Sequence, residues 1–272
     1  MPKHKVRLIA RLDIKAPNLI KGVNLEGVRV VGDPNVQARR YYAGGIDEII
    51  YIDAVATLYA RNSLSDLVRT TANDVFIPMT VGGGLRTVQD VDTMMRSGAD
   101  KVSINTAAIH RPEFITEVAR RYGSQAMVLS VEAKRLRGHN KWEAYVDNGR
   151  EKTGRDVVGW IKEAVERGAG EILLTSVDHE GMARGFDIPL CQAVTGAVDV
   201  PVILSGGMGA PEHALAAIEQ GNADAIAMAH VLHYNKLSID EIRNHLIAHG
   251  IEVCRHDEGA AADGAEGADG SN

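Results

Sequence analysis

Two stretches, Ile77-Pro-Met-Thr-Val-Gly-Gly-Gly84 and Val200-Pro-Val-Ile-Leu-Ser-Gly-Gly-Met-Gly209, decide the fold, because each pattern predicts a buried strand that ends in glycines. Each is followed by a stretch with helical spacing and then by a strand that begins with Ala-Asp, near 98–107 and 222–231. A strand led by Glu precedes each one. The same order of parts therefore occurs in both halves of the chain.

A further pair of strands, one at the start of each half, ends in an acidic residue: Asp13 and Glu132. Four strands thus occur twice, and strands that alternate with helices indicate a parallel sheet. We predict an α/β fold, a (β/α)8 TIM barrel with an internal half-barrel duplication and helices between its strands. The predicted strands lie near 6–13, 49–53, 77–81, 100–104, 126–132, 171–176, 201–205 and 224–228. In such a barrel both acids end at one mouth, where an acid–base pair would work.

The composition limits the class of protein. A chain of 272 residues with 45% hydrophobic residues suits one large barrel, expected over 1–255. Residues 256–272 are mostly Gly, Ala, Asp and Glu and predict a disordered tail. The net charge of -6 disfavours nucleic acid, and no apolar stretch resembles a signal or a membrane span. The two cysteines have no metal-ligand spacing, so we expect no metal, no cofactor and a cytoplasmic location.

The glycines after two of the predicted strands have two interpretations. Gly82–Gly84 and Gly206–Gly207 come between a strand and a helix, where backbone N–H groups can hold a phosphate. Alternatively, they only allow tight turns. Their recurrence at matching places in both halves favours two phosphate sites.

Long motifs carry a resemblance across residues 5 to 253. The stretches 76–84, 98–108, 122–126 and 168–176 are similar to signatures of the cyclase subunit of imidazole glycerol phosphate synthase, the HisF-like family. The resemblance implies a lyase of histidine biosynthesis that forms a heterodimer with a glutaminase subunit and uses the ammonia released there. Its substrate would be a bisphosphorylated ribulosyl-formimino carboxamide nucleotide. Its products would be imidazole glycerol phosphate and aminoimidazole carboxamide ribonucleotide.

The resemblance also implies roles for individual residues. Asp13 and Glu132 match the catalytic positions, and Lys21 matches a lysine in the mobile substrate loop after the first strand. Asp100 and Gln125 match positions that face the glutaminase. The ammonia gate is matched by four charged residues at strand starts: Arg7, Glu48, Lys101 and Glu171. The alternative for these four is a salt-bridge network with no such role. The phosphate-binding positions are matched by Gly84, Asn105 and Thr106 on one side, and by Gly181, Gly207, Ala229 and His230 on the other.

The chain also departs from the family pattern. Glu132 stands where the family usually has Asp, and its alternative interpretation is a structural carboxylate paired with Arg135. Arg11 stands where the family usually has a small residue, and strand alternation points it into the barrel. Its partner would be Asp13 or Glu132, or else an anionic group of a different acceptor. His230 would contact phosphate or hydrogen-bond to the backbone.

Histidine-pathway cyclisation is therefore the leading hypothesis. The alternative is a divergent paralogue that uses channelled ammonia to amidinate another acceptor, such as a surface-polysaccharide sugar. Two further hypotheses are that the chain is the related isomerase, which takes no ammonia, or an inert scaffold that only activates a glutaminase. The charged ring at the strand starts argues against the isomerase.

Overall fold

A computed structural model describes residues 5–56 and 64–254 of the chain. Within those ranges, eight parallel strands pair in a closed ring, each strand with two neighbours. In ring order they are β1 (Arg7–Lys15), β4 (Glu48–Asp53), β5 (Met79–Gly82), β6 (Lys101–Ile104), β7 (Met127–Arg135), β10 (Glu171–Ser176), β11 (Val202–Ser205) and β12 (Ala225–Met228). The predicted (β/α)8 barrel is confirmed, and every predicted strand overlaps its observed position, with ends that differ by at most three residues.

Two antiparallel ribbons stand above the barrel and were not predicted. β1 continues into pairing with β2 (Asn18–Val23), which pairs with β3 (Glu26–Gly32). β7 continues in the same way into β8 (Trp142–Val146), which pairs with β9 (Glu151–Asp156). The expectation that only helices fill the gaps between strands was therefore wrong at these two places. The ribbons occupy matching places in the two halves, as a duplication requires.

Helices surround the ring, and several of them begin at a side-chain cap. Asp33, Thr87, Asp156, Asp187 and Ser238 each accept a hydrogen bond from a backbone N–H in the first turn of the helix that follows. Within the described residues, the helices are α1 (Pro34–Ala43), α2 (Ser65–Ala72), α3 (Val88–Arg96), α4 (Thr106–His110), α5 (Glu113–Tyr122), α6 (Val157–Glu166), α7 (Ile188–Thr195), α8 (Pro211–Glu219), α9 (His230–His233) and α10 (Ile239–Ala248). A 3-10 turn, Ser124–Ala126, precedes β7.

Strand alternation divides the core into two layers. In β1, Leu8, Ala10 and Leu12 belong to the large cluster between the strands and the helices. Ile9 belongs instead to a small cluster inside the ring. Arg7, Arg11 and Asp13 share the inward face of β1 with Ile9, so the barrel interior carries charge at several levels. That interior positions the site described below.

Some predictions fall outside what the structure describes. The predicted tail, 256–272, lies beyond the described residues, and the single-domain boundary at 255 stays a prediction. None of the helices within 5–56 and 64–254 is long and apolar enough to cross a bilayer. The expected cytoplasmic location also stays a prediction.

Candidate active site

Asp13 lies at the mouth of the barrel, buried and between two cations. Its Oδ1 accepts a hydrogen bond from Arg11 Nε at 2.9 Å, and its Oδ2 lies 3.8 Å from Lys21 Nζ. Burial alone would raise the pKa of Asp13, but the positive charges of Arg11 and Lys21 outweigh burial and hold the pKa below its usual value. Asp13 is therefore a carboxylate at neutral pH.

Glu132 occupies the equivalent place on β7 but has a different environment. Its Oε2 accepts a hydrogen bond from the backbone N–H of Gly149 at 2.7 Å. Burial raises the pKa of Glu132 to about 7, although the Gly149 hydrogen bond and the charge of Arg11 act in the opposite direction. The alternative pairing with Arg135 was wrong, because that guanidinium lies over Trp142 and donates to Asn140 at 2.6 Å. Glu132 thus exchanges protons near neutral pH.

Each acid is held by the ribbon that follows its own strand. Lys21 was expected in a loop, but it lies in β2, where it is buried and forms an ion pair with Glu180. Burial lowers the pKa of Lys21 to about 8, against the charge of Asp13, which raises it. In the other ribbon, Asn148 donates to the Leu25 carbonyl at 3.1 Å. The two ribbons therefore meet across the mouth.

A cavity of about 290 Å³ lies beside Glu132, at the ends of β5 and β6. Gly84, Asn105 and Thr106, the predicted residues of the first phosphate site, line it together with Glu132. Gly83 makes the turn there with a φ of 91°, and a Cβ on it would collide with the Asp53 carbonyl. The structure therefore brings this predicted set together around open space.

The sequence analysis missed three basic residues in the same cavity. Arg86, His110 and Arg111 also line it. Arg86 and Arg111 carry positive charge, although Arg111 is also paired with Glu117 at 2.5 Å, and this site was expected to rely on backbone N–H groups alone. The available signal was their closeness in sequence to Gly84 and Thr106.

The second predicted phosphate site is a smaller pocket at the ends of β11 and β12. Gly181, Gly207, Ala229 and His230 all line it. Gly207 has a φ of 119°, which matches the left-handed glycines of the first site. His230 is half-buried, with its ring centroid 4.8 Å from that of Tyr234. Burial and the charges of Lys21 and Lys236 lower its pKa, so the ring is neutral at pH 7. The four residues thus form one pocket on the opposite side of the mouth.

At the other end of the barrel, four charged side chains form a floor ring. Arg7 Nη1 and Nη2 lie 2.7 and 2.6 Å from Glu48 and Glu171. Lys101 Nζ contacts the same two carboxylates at 3.2 and 2.9 Å. Burial would lower the pKa of Arg7, but the two carboxylates outweigh burial and raise it. Each cation therefore bridges both anions, and the ring is closed.

Between the floor ring and the acids lie an apolar layer and one guanidinium. The apolar layer is the small interior cluster, which includes Ile9, Ile50 and Leu173. Above it, Arg11 Nη1 donates to Thr175 Oγ1 at 2.8 Å and to Ser205 Oγ at 3.3 Å. The prediction that Arg11 points inward is confirmed, and of its two candidate carboxylate partners the one that it hydrogen-bonds is Asp13.

The two residues expected to face a glutaminase lie at the floor end. Asp100 directly precedes β6, and its Oδ2 accepts from the Met79 N–H at 2.8 Å. Gln125 lies exposed in the 3-10 turn before β7. Both are at the strand ends that carry the floor ring, so one docking surface would include all of them.

Comparison with known proteins agrees with this geometry. The family described as "Histidine biosynthesis protein" matches residues 7–238. The chain belongs to this family. It is 61% identical over 204 residues to a Legionella pneumophila protein named imidazole glycerol phosphate synthase subunit HisF, an alignment that covers 75% of this chain and 96% of that protein. The resemblance to HisF-like cyclase subunits is confirmed, and the chain is a HisF-like enzyme subunit.

Proposed function

We propose that this HisF-like chain is the cyclase subunit of imidazole glycerol phosphate synthase. It would combine ammonia with the ribulosyl-formimino carboxamide nucleotide and release imidazole glycerol phosphate and aminoimidazole carboxamide ribonucleotide. One observation carries the proposal: two buried carboxyl groups at equivalent strand ends have pKa values displaced in opposite directions. Such a pair supplies a base and an acid at the same pH.

The two acids divide the proton transfers of the addition step. The nitrogen lone pair of ammonia forms a C–N bond to the ketone carbon of the ribulosyl group. The carbonyl π electrons move to oxygen, which takes a proton from Glu132, and the nitrogen releases a proton to Asp13. Asp13 is suited to accept because it is ionised, and Glu132 is suited to donate because it is protonated below about pH 7.

The two glycine-lined pockets would hold the two phosphates of the substrate. They open on opposite sides of the mouth, one with Gly84, Asn105 and Thr106 and the other with Gly207 and Gly181. A molecule with a phosphate at each end would span the mouth between them. Its reacting centre would then lie near both acids, because Glu132 lines the first cavity and Asp13 lies at the same mouth of the barrel.

Ammonia would enter through the floor ring from a glutaminase docked around Asp100 and Gln125. The closed ring requires at least one of its four ion pairs to open on docking. The apolar layer above the ring favours neutral ammonia over ammonium, because a charged species loses its hydration there. The partner would thus form a heterodimer with this chain.

The other functional hypotheses are less well supported. Amidination of another acceptor, such as a surface-polysaccharide sugar, is not favoured, because the similar Legionella protein carries the name of the histidine-pathway synthase. The isomerase hypothesis assigns no function to the floor ring. The inert-scaffold hypothesis does not explain why the pKa values of Asp13 and Glu132 are shifted in opposite directions.

The proposal is tested with the purified chain, ammonium salt and the ribulosyl nucleotide. We expect both products, and we expect Asp13→Asn to lower turnover by ~10²–10⁴ while the fold stays intact. The control is Asp47→Asn: Asp47 is also buried, but it accepts from the Leu8 N–H at 2.6 Å, outside the barrel interior. Absence of product from the wild-type chain would end the proposal, and unchanged turnover in Asp13→Asn would remove Asp13 from the mechanism.

A further inference from the structure

Arg11 crosses the interior of the barrel. It belongs to β1, yet its Nη1 donates to Thr175 on β10 and to Ser205 on β11. Around the ring, β12 and β11 separate β1 from β10. Along the ring the two strands are three strand spacings apart, so Arg11 and Thr175 meet across the interior and not along the sheet. Its guanidinium thus lies across the space directly below the acids.

The contacts of this guanidinium fix its orientation. Nε donates to Asp13, Nη1 donates to two hydroxyl groups, and the side chain is only 4% exposed. A planar guanidinium with three such bonds has one orientation, and it imposes one rotamer on the carboxylate that it binds. Oδ1 of Asp13 is occupied by this bond. Oδ2, which lies 3.8 Å from Lys21 Nζ, is left to accept a proton.

We propose that Arg11 is a positioning residue for the reaction: it holds Asp13 as an oriented carboxylate with Oδ2 directed to the reacting nitrogen. The inference rests on the proposed function and deepens it. It also gives a reason for a charged residue where the resembling family usually has a small one. Arg11 acts through Asp13 and is not itself assigned a contact with the substrate.

Four charged or titratable groups face Asp13 from the elements packed around it. Arg11 on β1 and Lys21 on β2 stabilise its charge, and His233 on α9 acts in the same direction. Glu132 on β7 interacts with it as a second acid. Burial opposes ionisation and is the largest influence. Without Arg11, Lys21 would have to offset burial almost alone, so Asp13 would take up its proton at a higher pH.

The pH dependence of turnover tests this inference. The assay uses ammonium salt adjusted so that neutral ammonia is constant at each pH, because ammonia itself titrates. In Arg11→Met we expect the acid limb of the kcat/KM profile to move to higher pH by about 1–3 pH units, the effect of an adjacent opposite charge. Arg11→Lys keeps the positive charge, and we expect it to restore part of this shift.

A matched control separates positioning from a general loss of structure. Arg243 is another buried arginine, paired with Asp47 at 3.2 Å away from the barrel interior. Arg243→Met should lower stability without moving the acid limb. An Arg11→Met profile lowered equally at every pH, or an Arg11→Lys variant no better than Arg11→Met, would overturn the inference. Arg11→Gln is the second neutral variant if Arg11→Met does not fold.

Thermal unfolding gives a readout that needs no substrate. The loss of stability in Arg11→Met should be larger at pH 7, where Asp13 is ionised, than at a pH below the lowered pKa of Asp13. This difference should vanish when the wild-type and variant proteins both also carry Asp13→Asn. A loss that is the same at all pH values would overturn the inference. This result is independent of the product assay. Failure of the proposed function and failure of the role of Arg11 can therefore be told apart.

Discussion

Replacing Glu132 with Gln should stabilise the protein at alkaline pH while it removes activity. Gln keeps the length of the side chain, and its amide oxygen can still accept the 2.7 Å hydrogen bond from the Gly149 N–H. What it loses is the ability to ionise and to donate a proton. We therefore expect turnover to fall by ~10²–10⁴, the usual contribution of one general acid or base.

The gain in stability follows from the pKa of Glu132. Burial raises that pKa from 4.5 to about 7, so the folded state holds the proton more tightly than the unfolded state does. Stability is full below pH 4.5 and falls as the pH rises through about 7, because ionisation is then more costly in the folded chain. At about 1.36 kcal/mol for each pH unit, this loss is about 3 kcal/mol above pH 7. Gln does not ionise and escapes the loss.

Melting temperatures of wild type and Glu132→Gln at pH 4.5 and pH 8.5 measure this difference. At roughly 2–4 °C for each kcal/mol in proteins of about this size, the variant should melt at least about 5 °C higher at pH 8.5 and no higher at pH 4.5. Equal melting temperatures at pH 8.5 would refute the raised pKa of Glu132. An equal gain at both pH values would show that the effect comes from packing and not from ionisation.

Two further predictions concern the floor and the mouth of the barrel. Lys101→Met removes two of the four contacts of the floor ring, at 3.2 and 2.9 Å, so we expect product formed from glutamine to fall relative to product formed from added ammonium salt. Equal losses with both nitrogen sources would contradict a gate. Gly83→Ala should lower the melting temperature and weaken substrate binding, because its Cβ meets the Asp53 carbonyl at a φ of 91°. Gly138→Ala is the control, because Gly138 has a φ of 77° and no atom lies within 4 Å of the added Cβ. If Gly138→Ala lowered the melting temperature as much as Gly83→Ala, backbone strain and not the contact with Asp53 would be the cause.

The sequence was sufficient to predict the barrel, because its strands are short apolar runs repeated in the same order. A parallel strand that is buried on both faces appears in the sequence as a continuous run of Val, Ile and Leu, so it can be predicted without knowing which strands it pairs with. The predicted phosphate-site residues also come together, because the carboxyl ends of parallel strands meet at one edge. Asp13 and Glu132 share the mouth for the same reason.

The ribbons and the charge contacts could not be predicted from local pattern. β3 is mostly exposed, and the Val28-Arg29-Val30 alternation in it covers only three residues, which is too short a run to predict a strand. Lys21 finds its partner Glu180 across 159 residues of sequence. Arg11 reaches its hydroxyl partners across 164 and 194 residues. Such contacts are set by the closure of the ring, and no window of sequence contains both partners.

The duplication of the half-barrel bears on the direction of proton transfer at the site. Two identical halves would present two identical acids, and neither would be predisposed to give or to take a proton. Here the carboxyl group of one copy lies beside a lysine and an arginine, while the carboxyl group of the other accepts its hydrogen bond from a main-chain amide. The repeated architecture thus carries two carboxyl groups with different surroundings, and this difference defines the orientation in which a substrate can react.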